Sequence, residues 1–405
     1  ESLQEQYQWH DSLVLLDESF ANTPTEYRDR LFTNRVRAQH HLGMVGSDNI
    51  DAILGSLLEI AQGAGLASQR VTALQAAARI AHSERHTALN KSLTSAAHDL
   101  ENNCLAPTDR LAVHYALSML LRQAGDRAGS LHHLQTGARM IETSAIANSV
   151  AGSITLNLGS ALCGEGDYEG ALTQFAAAHR LAEKQRIDDL LALAAANQAL
   201  CHGRLGRYDK QVEWANAAEL SLKGRFVGYR NVQVATYQGM GYAMLGKTTV
   251  AQQSVDYLSQ RMPETVPLWI LQAWQLNKAD VLLLCGKDGR ALKEAIRGTT
   301  HELARLQSDA YAGPFARWLA LTEKPGLDAH QTVHELYARI GDFDAIDRVQ
   351  IAAARIHLLR NERRANRVRM REAEELRSYC LRIPLTALSQ LRALGLPLGP
   401  TSPPN

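Results

Sequence analysis

Residues 154–178 read ITLNLGSALCGEGDYEGALTQFAAA, and this stretch decides the fold. Upstream of the central glycine, Ile154, Leu158, Ala161 and Leu162 are spaced i, i+4, i+7 and i+8, one apolar stripe along a helix. Gly166-Asp167 then breaks that helix, because glycine tolerates the left-handed conformation a helix C-terminus uses. Downstream, Tyr168, Ala171, Leu172, Phe175 and Ala178 form a second stripe. The stretch predicts helix, tight turn and helix, packed as an antiparallel pair.

The same turn recurs at Gly46, Gly125, Gly166, Gly206, Gly246 and Gly286, the last four intervals being 41, 40, 40 and 40 residues. The 79-residue gap before Gly125 holds one glycine-free turn near Ser83–Arg85, so the register runs on. A fixed period of this size marks a solenoid, in which each unit buries its apolar face against its neighbours. Further hairpins are expected over Leu193–Leu205 with Tyr208–Leu222, Val232–Leu245 with Val250–Leu258, and Trp274–Cys285 with Ala291–Leu306. Continuing the period puts turns at Lys324-Pro325-Gly326 and Asn361–Asn366, and makes Gly341-Asp342 a junction between units. Pro24, Pro107, Pro263, Pro267, Pro314 and Pro384 fall at junctions, where proline breaks no helical hydrogen bond. The expected fold is all-α: an α-solenoid of about nine helix pairs over residues 1–383. A short capping helix (384–396) and a disordered proline-rich tail (397–405) are expected to follow.

Hydrophobic residues at 45 % and charged residues at 21 % are those of an ordinary soluble protein. A net charge of +1 supplies no global field for nucleic acid or an anionic membrane. No run approaches the roughly 18 apolar residues of a membrane span. The five cysteines, an odd number without framework spacing, argue against a secreted disulfide scaffold. Cys163, Cys201 and Cys285 read as reduced core thiols, and a cytoplasmic location follows. A first residue of Glu1, without a signal region, points to processing or to a piece of a longer polypeptide.

Leu158-Gly159, Leu162, Gly166-Asp167-Tyr168, Ala171, Phe175 and Ala178 also stand in the order and spacing of the tetratricopeptide signature, which the chain therefore resembles. Gly239, Tyr242, Gly246 and Ala251 match in part. The usual tetratricopeptide period is about 34 residues, so these helices are about one turn longer. Such a stretched repeat resembles the sensor region of MalT-like bacterial regulators, among the signal-transduction ATPases with numerous domains. That resemblance implies a right-handed superhelix receiving an inducer or partner protein, with a separate ATPase and output domain. Neither an ATPase module nor a C-terminal helix-turn-helix is recognisable here: either such modules lie on a longer parent polypeptide, or this protein never had them.

Nine residues before four consecutive turn glycines stand Asn157, Asn197, Tyr237 and Asn277. In tetratricopeptide proteins the first helix of each pair lines the concave groove, and an asparagine there holds a ligand's backbone. The resemblance thus makes these four the candidate contacts to a peptide, partner protein or small inducer. An amide offers both donors and an acceptor to an extended chain. The other reading has the amides bond across to the next unit and fix the stacking register. Both stand.

Other motifs carry less. Gly241–Thr248 satisfies the phosphate-binding pattern G-x-x-x-x-G-K-T letter for letter. That chemistry needs a preceding strand and inward-turned amides, whereas Val232–Gly239 reads as helix and Gly246 as the turn glycine. His82/His86 and His330/His334 share a helical face but lack the further ligands of a zinc site. His40-His41 and His132-His133 are adjacent, point to different sides of a helix and identify no site. Six arginines between Arg360 and Glu372 have no interleaved aromatics, and read as docking to an adjoining domain rather than as a nucleic-acid footprint. The sequence assigns no catalytic residue, metal or cofactor. It points to a non-catalytic binding superhelix, the sensor of a cytoplasmic bacterial regulator. The alternative is a constitutive scaffold subunit wrapped around a partner protein.

Overall fold

A computed structural model describes residues 9–359, except 21–24, 42–44, 46–48, 64, 85, 104–105, 226–227, 265, 267, 300–311, 322–326 and 341–342. The expected turns at Gly46, Lys324-Pro325-Gly326 and Asn361–Asn366, the Gly341-Asp342 junction, the arginine-rich segment, the capping helix and the tail lie outside the described residues. Among the described residues there are eighteen helices and no strand. The fold is an all-α array of helical hairpins.

Two compact units are present, one made of Glu1–Leu158 with Ala177–Leu190, the other of Gly159–Ala176 with Leu191–Asn405. The helices before Leu158 are α1 (Trp9–Phe20), α2 (Thr25–His41), α3 (Ile50–Gln62), α4 (Ala67–Ser83), α5 (Asn90–Asn103), α6 (Pro107–Gln123) and α7 (Arg127–Ser144). Next come α8 (Ser149–Gly164) and α9 (Tyr168–Gln185), then α10 (Asp188–Arg204), α11 (Tyr208–Leu222), α12 (Tyr229–Met244) and α13 (Thr248–Arg261). The last five are α14 (Leu268–Leu284), α15 (Asp288–Thr299), α16 (Ala312–Leu321), α17 (Leu327–Ala338) and α18 (Ala345–Leu359). The first helix of each hairpin from α10 to α15 begins three to six residues before the apolar stripe that announced it.

The repeated glycine has one cause. Gly125, Gly166, Gly206, Gly246 and Gly286 have φ of 84°, 88°, 73°, 76° and 67°, left-handed conformations that a Cβ disfavours. In each turn the following N–H reaches back five residues, as in Asp167 N–H to Leu162 O (2.9 Å) and Lys247 N–H to Tyr242 O (2.8 Å). That bond satisfies carbonyls which the helix end would otherwise leave open. At two turns an aspartate follows and caps the next helix: Asp126 accepts from Gly129 N–H at 2.8 Å and Asp167 from Gly170 N–H at 2.9 Å.

In the first unit Leu54, Leu57, Leu74, Leu93, Leu111 and Leu117 are fully buried between successive helices. The glycine-free turn after α4 is secured by Gln123, whose amide donates to Ala81 O (2.8 Å) and His86 O (2.9 Å). The second unit has a chain of local cores, one around Val232, Val255 and Trp274, the next around Leu276, Phe315 and Ile351. Close approach is built in at Gly159, where an added Cβ would lie 2.7 Å from the Phe175 ring. The signature glycine exists to seat that aromatic.

Candidate functional site

The second unit contains a cavity of about 240 Å³, one wall of which is made by the first helices of consecutive hairpins. From α10 come Asn197, Leu200 and Arg204; from α12, Gln233, Tyr237 and Met240; from α14, Asn277 and Asp280. Spacings of three and four place each set on one face of its helix. The flanking residues Ala196, Gln198, Thr236, Gln238 and Leu276 are all buried, which fixes the rotation of these helices.

Three of the four ladder positions, Asn197, Tyr237 and Asn277, therefore meet on one cavity wall. Asn157 belongs to the first unit, and its amide donates to Ser153 O of its own helix at 2.8 Å. Among the described residues no group hydrogen-bonds the side chains of Asn197 or Asn277. Tyr168 lines the same cavity, and its buried hydroxyl also has no hydrogen-bond partner among the described residues. Burial raises the Tyr168 and Tyr237 phenols above the usual tyrosine range despite the Arg204 charge, so both remain neutral donors.

One side of the cavity rests on a buried ion pair. Arg317 of α16 donates to Asp280, and the Trp318 indole N–H reaches the same carboxylate oxygen at 2.6 Å. Arg317 Nε also donates to Gln350 Oε1 at 3.2 Å, tying α14, α16 and α18 together. With exposures of 1 % and 3 %, this pair is shut off from solvent. The second unit also closes on itself. Arg348 Nη2 of α18 lies 3.5 Å from Glu165 Oε1 in the turn after α8, and a Cβ on Gly164 would stand 2.6 Å from Asp344 Oδ1.

Of the three expected core thiols, Cys201 is buried, while Cys163 and Cys285 are half-buried and Cys163 lines the cavity. A hydrogen bond with Cys163, and then burial, raise the Cys201 thiol well above the ordinary range. Gly241–Thr248 is a hairpin turn: Gly241–Met244 ends α12, Gly246 takes the left-handed conformation and Thr248 starts α13. No cradle of amides forms there. His86 Nε2 sits 2.9 Å from Asp51, a two-group contact rather than a ligand set. The sequence set His133 aside and did not single out His114; both are buried, with their Nδ1 atoms 3.0 Å apart. No helix among the described residues is long and apolar enough to cross a membrane.

No protein-family model matches the chain, and no curated protein sequence does either. Solved structures resemble it in fold. The apo quorum sensor NprR from B. thuringiensis aligns with a TM-score of 0.53 at 12 % identity, over 93 % of this chain and 98 % of that one. NprR in complex with its cognate peptide NprX gives 0.53 at 13 % identity, over 94 % and 100 %. A Rap protein complexed with Competence and Sporulation Factor gives 0.57 at 10 % identity, over 91 % and 99 %. At these identities the likeness is one of architecture, that of tetratricopeptide-like hairpin arrays.

Proposed function

We propose that the chain is the ligand-binding sensor region of a cytoplasmic bacterial regulator, and that its ligand is a short extended peptide held in the second unit's cavity. The observation that carries this is the coincidence on one cavity wall of two unengaged amides, those of Asn197 and Asn277, above the buried and unpartnered Tyr168 hydroxyl. Buried or half-buried polar groups find partners in folded proteins, and a peptide backbone supplies both donors and acceptors. Fold likeness to NprR bound to NprX supports the same reading. Asn157 contributes no contact in this proposal, although it shares the ladder register. An adjoining ATPase or output domain, as in MalT-like regulators, would sit on a longer parent chain.

The scaffold alternative calls for a continuous apolar groove able to hold a constant partner. A wall carrying Asn197, Arg204, Gln233 and Asn277 favours reversible, polar recognition instead. The test uses a fluorescent library of short linear peptides, with binding followed by polarisation. At least one peptide is expected to saturate the unmodified chain. Asn197→Ala combined with Asn277→Ala is expected to weaken it about 30-fold, two hydrogen bonds at ~1 kcal/mol each. If no peptide saturates, or if the double variant binds equally well with unchanged melting temperature, the proposal is wrong.

A further inference from the structure

Glu101, His114 and His133 come from three successive helices of the first unit, α5, α6 and α7, and converge on one point. His114 Nδ1 is 3.0 Å from His133 Nδ1, and Glu101 Oε1 lies 3.4 Å from the first and 3.8 Å from the second. A point equidistant from all three atoms is about 2.0 Å from each, the length of a zinc–imidazole or zinc–carboxylate bond. Edges of that size are also those of a tetrahedral zinc shell, about 3.3 Å between ligand atoms. Both histidines are buried, whereas the Glu101 side chain is 27 % exposed and gives access from solvent.

One proton does not link all three atoms. Placed on His114 Nδ1 it serves the 3.0 Å contact with His133, and leaves the His133 and Glu101 acceptors 3.8 Å apart with no donor between them. A second proton on His133 Nδ1 turns the 3.0 Å contact into two donors face to face. A cation at the common point satisfies all three atoms together.

We infer that Glu101, His114 and His133 form a binding site for one divalent transition-metal ion of the zinc class, with water in the fourth position. Two imidazoles and a carboxylate are the donor set that suits zinc or cobalt rather than calcium or magnesium. His98, one turn before Glu101 on α5, stands 3.2 Å from the other carboxylate oxygen, Oε2, and orients Glu101 from outside the metal shell. Because its ligands sit on three separate helices, the ion ties α5, α6 and α7 together and stabilises the first unit on binding.

The test takes the full chain without a histidine tag, strips it with chelator and titrates it with Co²⁺. One equivalent per chain is expected, with the intense visible absorption of four-coordinate cobalt, displaced by Zn²⁺. His133→Gln and, independently, Glu101→Gln are expected to abolish that absorption while the helical circular dichroism persists. His98→Ala weakens binding about tenfold, and His132→Ala leaves it unchanged. Absence of cobalt binding by the unmodified chain overturns the inference. So does loss in His132→Ala equal to that in His133→Gln, or full binding retained in folded Glu101→Gln.

Discussion

Asp280 holds two donors inside the protein, the Arg317 guanidinium and the Trp318 indole. Removing the carboxylate leaves a buried cation without its counter-charge, which costs far more than the pair contributes when intact. Asp280→Ala is expected to lower stability by about 3–5 kcal/mol, measured by urea denaturation. Solvent-exposed Arg290→Ala, which breaks a 3.3 Å surface pair with Asp256, is expected to cost less than about 1 kcal/mol. Histidines set the pH response. Burial, helped by the Arg79 charge, lowers His40 below its ordinary 6.5, and burial lowers His179 and His202 likewise. A depressed imidazole means that the unfolded chain binds the proton first. This contribution to stability is complete above pH 6.5 and is lost as the pH falls below it. Glu84, 3.4 Å from His40 and raised by burial, acts with opposite sign at lower pH, so the window to measure lies just under 6.5. The urea midpoint should fall between pH 7 and pH 5.5, less steeply in His40→Gln; an unchanged slope counts against the assignment.

At the level of helices and turns, both kinds of connection use a positive φ but differ in the residue that adopts it. Within a hairpin the left-handed residue is glycine; the first left-handed residue between hairpins is Ala145, Arg186 or Lys223, at φ of 49°, 56° and 51°, with Gly224 and Gly228 following Lys223 at 72° and 58°. A Cβ on Gly246 would touch nothing, so Gly246→Ala isolates the conformational cost, about 1 kcal/mol destabilising. Lys223→Gly relieves the same strain and is expected to stabilise by about 0.5 kcal/mol. Thermal melts that move both variants the same way would refute this account. The contrast also explains what was legible. Glycines at 40-residue intervals gave away every hairpin from α8 to α15, because a sharp helix end leaves few choices of residue. The turn near Ser83 leaves a fainter mark, since its stitching by Gln123 comes from a distant helix. The Asn197–Asn277 register was readable for the same periodic reason. Glu101, His114 and His133 were not: they lie on three different helices at unrelated spacings, and only packing brings their donor atoms together.

Over the whole molecule, two compact units predict unfolding that is not a single two-state step. Trp214, Trp269, Trp274 and Trp318 all belong to the second unit, and only Trp9 to the first. Fluorescence therefore follows mainly the second unit, while circular dichroism follows both. The two urea curves are expected not to coincide, and Asp280→Ala should move the fluorescence curve more. Superimposable curves would mean that the chain melts as one body. A simple stack of hairpins could also mature in step with translation, each pair settling on the one before. Contact between Glu165 and Arg348 forbids that for the second unit, whose opening turn finds its mate only near the end of the described chain. At ~5–20 residues per second the ribosome needs roughly 10–40 s to cover that interval. For that time the nascent Glu165 turn waits, exposed to chaperones and proteases, for a neighbour that has yet to be made.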